Sequence, residues 1–237
     1  MTSLADILQR QAVWRGGALA SPSVTAVPAV PTGFAALDRE LPGGGWPAGG
    51  LVEVFSREQG IGELQLALPA LAALTGAGQR VAWLAPPHLP YAPALRAAGV
   101  RLERLAVVHA PGRRDALWAA EQALRARAFH ALLVWLPCAG YRELRRLAVA
   151  AQAGPGFALA FRPPEAACES SPAVLRLALE PASRPEEGRL VVRILKRRGT
   201  PVEAPLRIPI ERPVRALGRA SLSAAPAPGV VARACAA

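Results

Sequence analysis

Short apolar runs alternate with longer stretches of helical spacing through most of the chain. The runs "LVEVF" (51–55), "RVAWLA" (80–85), "LAVVHA" (105–110), "ALLVWL" (131–136) and "FALAF" (157–161) are almost continuously apolar. Runs of this length and character predict strands buried on both faces. Between them the pattern predicts helices over 63–76, 91–98, 113–128 and 141–152. Strand–helix alternation of this kind implies an α/β fold whose mostly parallel sheet is covered on both sides. Two later runs differ. "AVLRLALE" (173–180) and "RLVVRILK" (189–196) alternate apolar with basic residues and flank the turn-like "PASRPEEG". They predict an antiparallel extension of the sheet.

The two ends do not follow this rhythm. Leu4, Ile7, Leu8 and Val13 give residues 3–14 near-helical spacing, and "GGALASPSVTAVPAVP" (16–31) reads as a Pro/Ser/Ala linker. Beyond Glu211 no acidic residue occurs, and "ALGRASLSAAPAPGVVARACAA" reads as a loose basic tail. The expected organisation is therefore an N-terminal helix and linker (1–31), an α/β core (32–212) and a flexible basic tail (213–237). No internal repeat is visible.

Composition sharpens this picture in three places. With 52% hydrophobic but only 5% aromatic residues in 237, the core is built mostly from Leu, Val and Ala. The formal charge is +11, and Lys196 is the single lysine, so the basic residues are otherwise arginines. Such a balance favours an anionic partner, either nucleic acid or an acidic protein surface. Cys138, Cys168 and Cys235 are widely spaced without a CxxC, which suggests neither a disulfide framework nor a zinc site. No run approaches the roughly 18 apolar residues of a membrane span, and the N-terminus has no continuous apolar segment. The expectation is a cytoplasmic chain with no membrane contact.

Candidate chemistry concentrates in "VFSREQGIGELQLAL" (54–68). An apolar strand enters a Gly-containing loop and leaves into an apolar helix, which is the layout of a phosphate-binding loop. In such a loop backbone N–H groups cradle phosphates, a Lys reaches the β- and γ-phosphates, and a Ser or Thr hydroxyl holds Mg²⁺. Gly60 and Gly62 are present, but Glu63 stands where the Lys belongs and Leu64 where the hydroxyl belongs. At about 4 Å and an effective dielectric of ~20, one unit-charge pair is worth ~4 kcal/mol, so reversing its sign costs up to about twice that. That is the size of a whole micromolar affinity, ~8 kcal/mol. A carboxylate there also suits a helix N-terminus, worth about 0.3–1 kcal/mol, and would fill the loop's own anion site.

The wider segment "PTGFAALDRELPGGGWPAGGLVEVFSREQGIGELQLAL" (31–68) resembles the opening of the ATPase core of RecA-type recombinases. The resemblance rests on Pro31-Thr32-Gly33, Leu37-Asp38, Gly43-Gly44-Gly45, Pro47 and Val52-Glu53-Val54. Within that superfamily Val13-Trp14-Arg15-Gly16, "GGGWP" (43–47), "GIGELQL" (60–66) and "LKRRG" (195–199) look like the ImuA family. These are RecA-like accessory proteins of bacterial translesion synthesis, sometimes labelled SulA-like. The resemblance runs from about residue 11 to 212 and implies a RecA-like P-loop core.

Set against that pattern, further positions are lost. The acid that orders Mg²⁺ at the end of the 131–136 strand is replaced at about Trp135, and Pro137 follows. The carboxylate that activates water after strand 80–85 is replaced by Pro86, Pro87 and His88. A lone His beside prolines reads as a loop residue rather than a base. The expectation is a degenerate site, no ATPase and no cofactor. The two loops through which RecA-like filaments grip single-stranded DNA are reduced to "PCAG" and to "RPPEAACESSP" (162–172). Trp14 and Trp46 read as packing residues rather than base-stacking platforms.

Two basic groups remain as contacts for DNA or an acidic partner. Arg142, Arg145 and Arg146 fall on one face of the 141–152 helix. Lys196, Arg197 and Arg198 end a strand, and Gly199 permits a turn that presents them outward. The resemblance implies a non-catalytic adaptor acting with an ImuB-like inactive relative of Y-family polymerases, an error-prone replicative-type polymerase and RecA. The alternatives are an ATP-dependent recombinase, which Glu63 opposes, and a SulA-like inhibitor of cell division acting on the tubulin homologue FtsZ.

Overall fold

The computed structural model describes residues 28–57, 60–182 and 188–210. The helix expected at 3–14, most of the linker and the tail lie outside the described residues. Among the described residues ten strands and five α-helices follow in chain order. They are β1 (Ala29–Val30), α1 (Ala35–Glu40), β2 (Trp46–Pro47), β3 (Leu51–Ser56), α2 (Leu68–Gly76), β4 (Val81–Leu84), α3 (Ala92–Ala97), β5 (Leu105–Val108), α4 (Arg113–Arg125), β6 (Ala131–Trp135), α5 (Tyr141–Gln152), β7 (Phe157–Arg162), β8 (Leu175–Pro181), β9 (Arg189–Lys196) and β10 (Leu206–Pro209).

Eight of the strands form one sheet in the order β10-β9-β8-β3-β7-β6-β4-β5, and β1 pairs with β2 separately. The run from β8 to β5 is parallel throughout, while β9 and β10 are antiparallel. The mostly parallel sheet is as the hydrophobic pattern predicts, with one correction. The first basic-alternating run, β8, pairs parallel to β3, so the antiparallel extension starts one strand later. β1 and β2 are too short to stand out as hydrophobic runs, β10 is interrupted by Arg207 and Pro209, and the end of the expected linker, Ala29-Val30, is the strand β1.

Strand alternation divides the core in two. Val52, Val54, Val81, Trp83, Leu133 and Leu159 point into a cluster with Leu37 of α1, Leu71 and Leu74 of α2 and Leu95 of α3. The same cluster runs on under Leu177, Val192 and Ile208, so it spans the width of the sheet. Leu51, Ala82, Leu132, Ala158 and Ala160 point the other way, against Ala116 and Ala120 of α4 and Leu144 and Leu147 of α5. The alanines on that side let α4 and α5 approach the sheet closely. Among the described residues no helix covers the outer side of β8–β10, and Glu180, Arg193 and Leu195 there are exposed. For Glu180 and Arg193 that exposure is what the apolar–polar alternation encodes, whereas Leu195 is an apolar side chain left exposed.

The helix expected from residue 63 begins at Leu68 instead, and 63–67 is a succession of turns. Pro69 explains the boundary. It has no N–H to donate, so it suits the first turn of a helix and not its interior.

One close approach fixes the start of β7. An ideal Cβ on Gly156 would lie 1.9 Å from the His130 carbonyl oxygen, while the Gly156 carbonyl accepts from Gly49 N–H at 2.6 Å. Gly156→Ala is therefore expected to cost about 2 kcal/mol or more, by forcing backbone apart. Urea unfolding of the two proteins measures it, and a midpoint unchanged by the substitution contradicts this account.

Candidate functional site

β3 leads directly into the loop at Gly60–Gly62. Gly60 and Gly62 have φ of +81° and +117°, a region where only glycine is unstrained. Their N–H groups converge on the side chain that follows. Gly60 N–H donates to both carboxylate oxygens of Glu63, at 2.8 and 3.0 Å, and Gly62 N–H donates to Oε2 at 3.2 Å. Glu63 is only 8% exposed. Converging backbone N–H groups form an anion-binding concavity, and here a carboxylate of the same loop occupies it. Glu63 does this from a turn ahead of α2, not from the first helical turn, so hydrogen bonds rather than the helix dipole hold it. Leu64 is half-buried against the apolar cluster.

A cleft of about 490 Å³ opens at the carboxyl ends of β3, β4, β6 and β7, bounded by Arg57, Glu63, Pro87, Arg113, Trp135 and Phe161 among others. Ligands in open α/β sheets bind at this end of the strands. Trp135 closes β6, stacked on Phe161 with ring centroids 4.9 Å apart and tilted against Trp83 at 5.8 Å. An aromatic wall therefore stands at the end of β6, where the sequence has no acid. Among the described residues no group of His, Cys, Asp and Glu is arranged to hold a metal ion.

Behind the cleft lies a set of charges that sequence reasoning missed. Glu53, in the middle of β3, is fully buried. Its Oε1 accepts from Arg162 Nη1 at 2.6 Å and its Oε2 from Arg176 Nε at 2.8 Å. Arg162 Nη2 also donates to the Ala139 carbonyl at 2.7 Å and to Glu169 at 3.0 Å. Arg176 donates to the carbonyls of Ala166 and Ala167 at 3.0 and 3.1 Å, and lies over the Phe55 ring at 4.9 Å. These bonds pin the β7–β8 connection and the β6–α5 connection to the sheet. The signal available in the sequence was an acidic residue inside an otherwise apolar run, Glu53 in "LVEVF".

The two basic groups are placed differently. In α5, Arg142 and Arg145 are exposed. Arg146 reaches back to Glu121 of α4, which also takes Arg125 at 2.7 Å. Lys196 Nζ donates to the Ser171 carbonyl at 3.0 Å. Arg197 does not point outward as expected. It donates to Thr200 O at 2.8 Å and to the Glu40 carbonyl, and lies 3.5 Å from the Glu40 carboxylate. Arg198 is exposed. Arg197 thus ties the end of β9 to the end of α1.

Residues 49–158 match the family model described as cell division inhibitor SulA. The chain is 34% identical over 108 residues to Protein RecA 1 of Myxococcus xanthus, covering 46% of this chain and 31% of that protein. It is 35% identical over 103 residues to cell division inhibitor SulA of Edwardsiella piscicida, covering 43% of this chain and 61% of that protein. The chain thus spans about a third of the RecA relative and about three-fifths of the SulA relative. These matches support a relationship to SulA and RecA proteins.

Removing the Glu53 carboxylate leaves Arg176 without its ion-pair partner and buried Arg162 with only the exposed Glu169. Glu53→Gln is expected to cost about 3–5 kcal/mol, whereas Glu169→Gln, at an exposed carboxylate, is expected to cost under ~1 kcal/mol. Denaturant unfolding of both variants tests the contrast, and equal losses contradict it.

A pH effect follows from Glu143, at the start of α5. Burial alone raises its pKa. The hydrogen bonds from Arg113 and from Gly140 N–H, with the charges of Arg113 and Arg146, outweigh burial and hold it below the usual carboxylate range. A depressed folded-state pKa adds stability above the unfolded value, and that contribution disappears as pH falls through the folded value. The stability gap between the unaltered protein and Glu143→Gln should therefore be fully open near pH 7 and close as pH drops below about 4. A gap independent of pH contradicts this.

Proposed function

We propose that the chain is a RecA-related protein without ATPase activity, acting as an adaptor in the DNA-damage response. The observation that carries this reading is Glu63. The N–H groups of Gly60 and Gly62, which a phosphate would need, are spent on a carboxylate held within hydrogen-bond distance. An incoming phosphate would have to displace that carboxylate and then remain beside a negative charge. Leu64 offers no hydroxyl for a metal, and Trp135 and Phe161 occupy the end of the neighbouring strands with an aromatic stack. In this reading the loop is a degenerate P-loop of an ImuA-like protein. Its work is done by surfaces that bind an ImuB-like protein, an error-prone replicative-type polymerase and RecA.

The pinned connections support the same view. The segment after β7, where a RecA-like recombinase carries a DNA-gripping loop, is held by Arg162, Arg176 and Lys196 through bonds to residues 166, 167, 169 and 171. A loop tied down in this way is poorly suited to close around a strand. That argues against strand exchange.

The second reading is a SulA-like inhibitor of cell division, favoured by the family match over 49–158. Pull-downs of the purified chain against ImuB-like protein and against FtsZ separate the two. Capture of ImuB-like protein alone supports the adaptor, and capture of FtsZ alone supports the inhibitor.

Titration calorimetry with Mg·ATP is expected to show no binding, and Glu63→Lys is expected to restore no hydrolysis because the metal ligands are still missing. Micromolar Mg·ATP binding by the unaltered protein, or turnover by Glu63→Lys, overturns the reading.

A further inference from the structure

A second concavity, of about 510 Å³, runs along the outer face of α5 and belongs to no part of the Glu63 loop. Arg142, Arg145, Arg146 and Val149 recur at helical spacing along it, and Arg125 at the end of α4 closes one side. The opposite face of α5 is occupied, since Leu144, Leu147 and Ala151 are buried there. Nothing among the described residues covers the outer face. Val149 is 59% exposed there.

The charges are not equivalent. Glu121 is buried, and its two oxygens take Arg125 and Arg146, so those guanidiniums are anchored at the rim before any partner arrives. Arg142 and Arg145 are exposed without an ion pair among the described residues. Four arginines against one carboxylate leave the groove strongly positive, around a floor made of Val149 and Ala150.

We propose that this face docks an acidic protein segment carrying an aliphatic side chain that seats on Val149. Two features identify the occupant. Arginine forks match Asp and Glu carboxylates in paired geometry, and the anchored pair lose little freedom on binding. The apolar floor needs an apolar side chain set between those carboxylates, which is the arrangement of a helical segment with acidic and aliphatic residues on one side. A nucleic acid fits less well. Its phosphates would pair with the arginines, but they bring nothing to cover the floor, and the groove lining has no aromatic ring on which a base could stack. The surface stands on its own geometry, whichever function the Glu63 loop supports.

The test uses the full chain and a fluorescent, Glu-rich, helix-forming peptide of about a dozen residues with two leucines one turn apart. The comparison ligands are the same peptide with both leucines changed to Ser, and single-stranded oligothymidylate. Arg142, Arg145 and Val149 are exposed, so the variants should keep the fold, which circular dichroism and thermal melting verify. Arg142→Glu/Arg145→Glu is expected to weaken the leucine peptide at least about tenfold. Val149→Ser, and the Leu→Ser peptide, are each expected to weaken it about three- to tenfold. Three results overturn the proposal. The first is no measurable binding of the leucine peptide by the unaltered chain. The second is peptide binding indifferent to Val149→Ser and to the leucines, which is charge attraction alone. The third is oligothymidylate binding tighter than the peptide and lost in the double charge reversal, which makes the face a nucleic-acid surface.

Discussion

The carboxylate of Glu53 imposes the condition that the centre of this fold has to meet. It sits in the middle of the central strand with no access to water, and an uncompensated buried charge costs several kcal/mol. Arg162 and Arg176 meet that condition from the two strands that flank β3. Further donors on each arginine, Nη2 of Arg162 and both Nη groups of Arg176, find carbonyls in the connections after β6 and β7. Satisfying one acid thereby fixes the loops at the carboxyl end of the sheet. Apolar packing alone would not have placed them, because among the described residues α-helical cover on that side comes from α4 and α5. The cleft beside Glu63 owes part of its wall to these bonds, since Arg162 and Pro163 also border it.

Carboxylates are scarce in this basic chain, and among the described residues the buried or half-buried ones are committed. Glu63 satisfies the N–H groups of its own loop. Glu121 gathers Arg125 and Arg146. Glu143 takes Gly140 N–H at 2.8 Å and Arg113 at 2.6 Å, and so joins the two helices at their amino-terminal ends. The outcome is a protein in which the N–H groups of Gly60 and Gly62 are satisfied from within the loop, while Arg142 and Arg145 on the outer face of α5 stand open. In the adaptor reading these are two sides of one arrangement: the site that would bind a nucleotide is closed, and charge is left on surfaces where a macromolecule docks.

Sequence alone determined the layer architecture. The apolar runs are long enough, and the turns between them Pro- and Gly-rich enough, that strands and helices alternate in only one sensible way. Chain order also puts Glu63 and Leu64 shortly after β3 and Trp135 at the end of β6, although the helix expected from residue 63 starts only at Leu68. What depends on contacts far apart in the chain was not legible. β8 joined the parallel group because its partner is β3, more than a hundred residues earlier. Arg176 reads in sequence as the polar side of an alternating strand, yet it is buried because Glu53 lies beside it in register. Arg197 reads as an outward cation, yet it turns toward the carbonyl of Glu40. Periodicity reports which face of an element a side chain takes, and only tertiary structure decides whether that face meets water or an opposite charge.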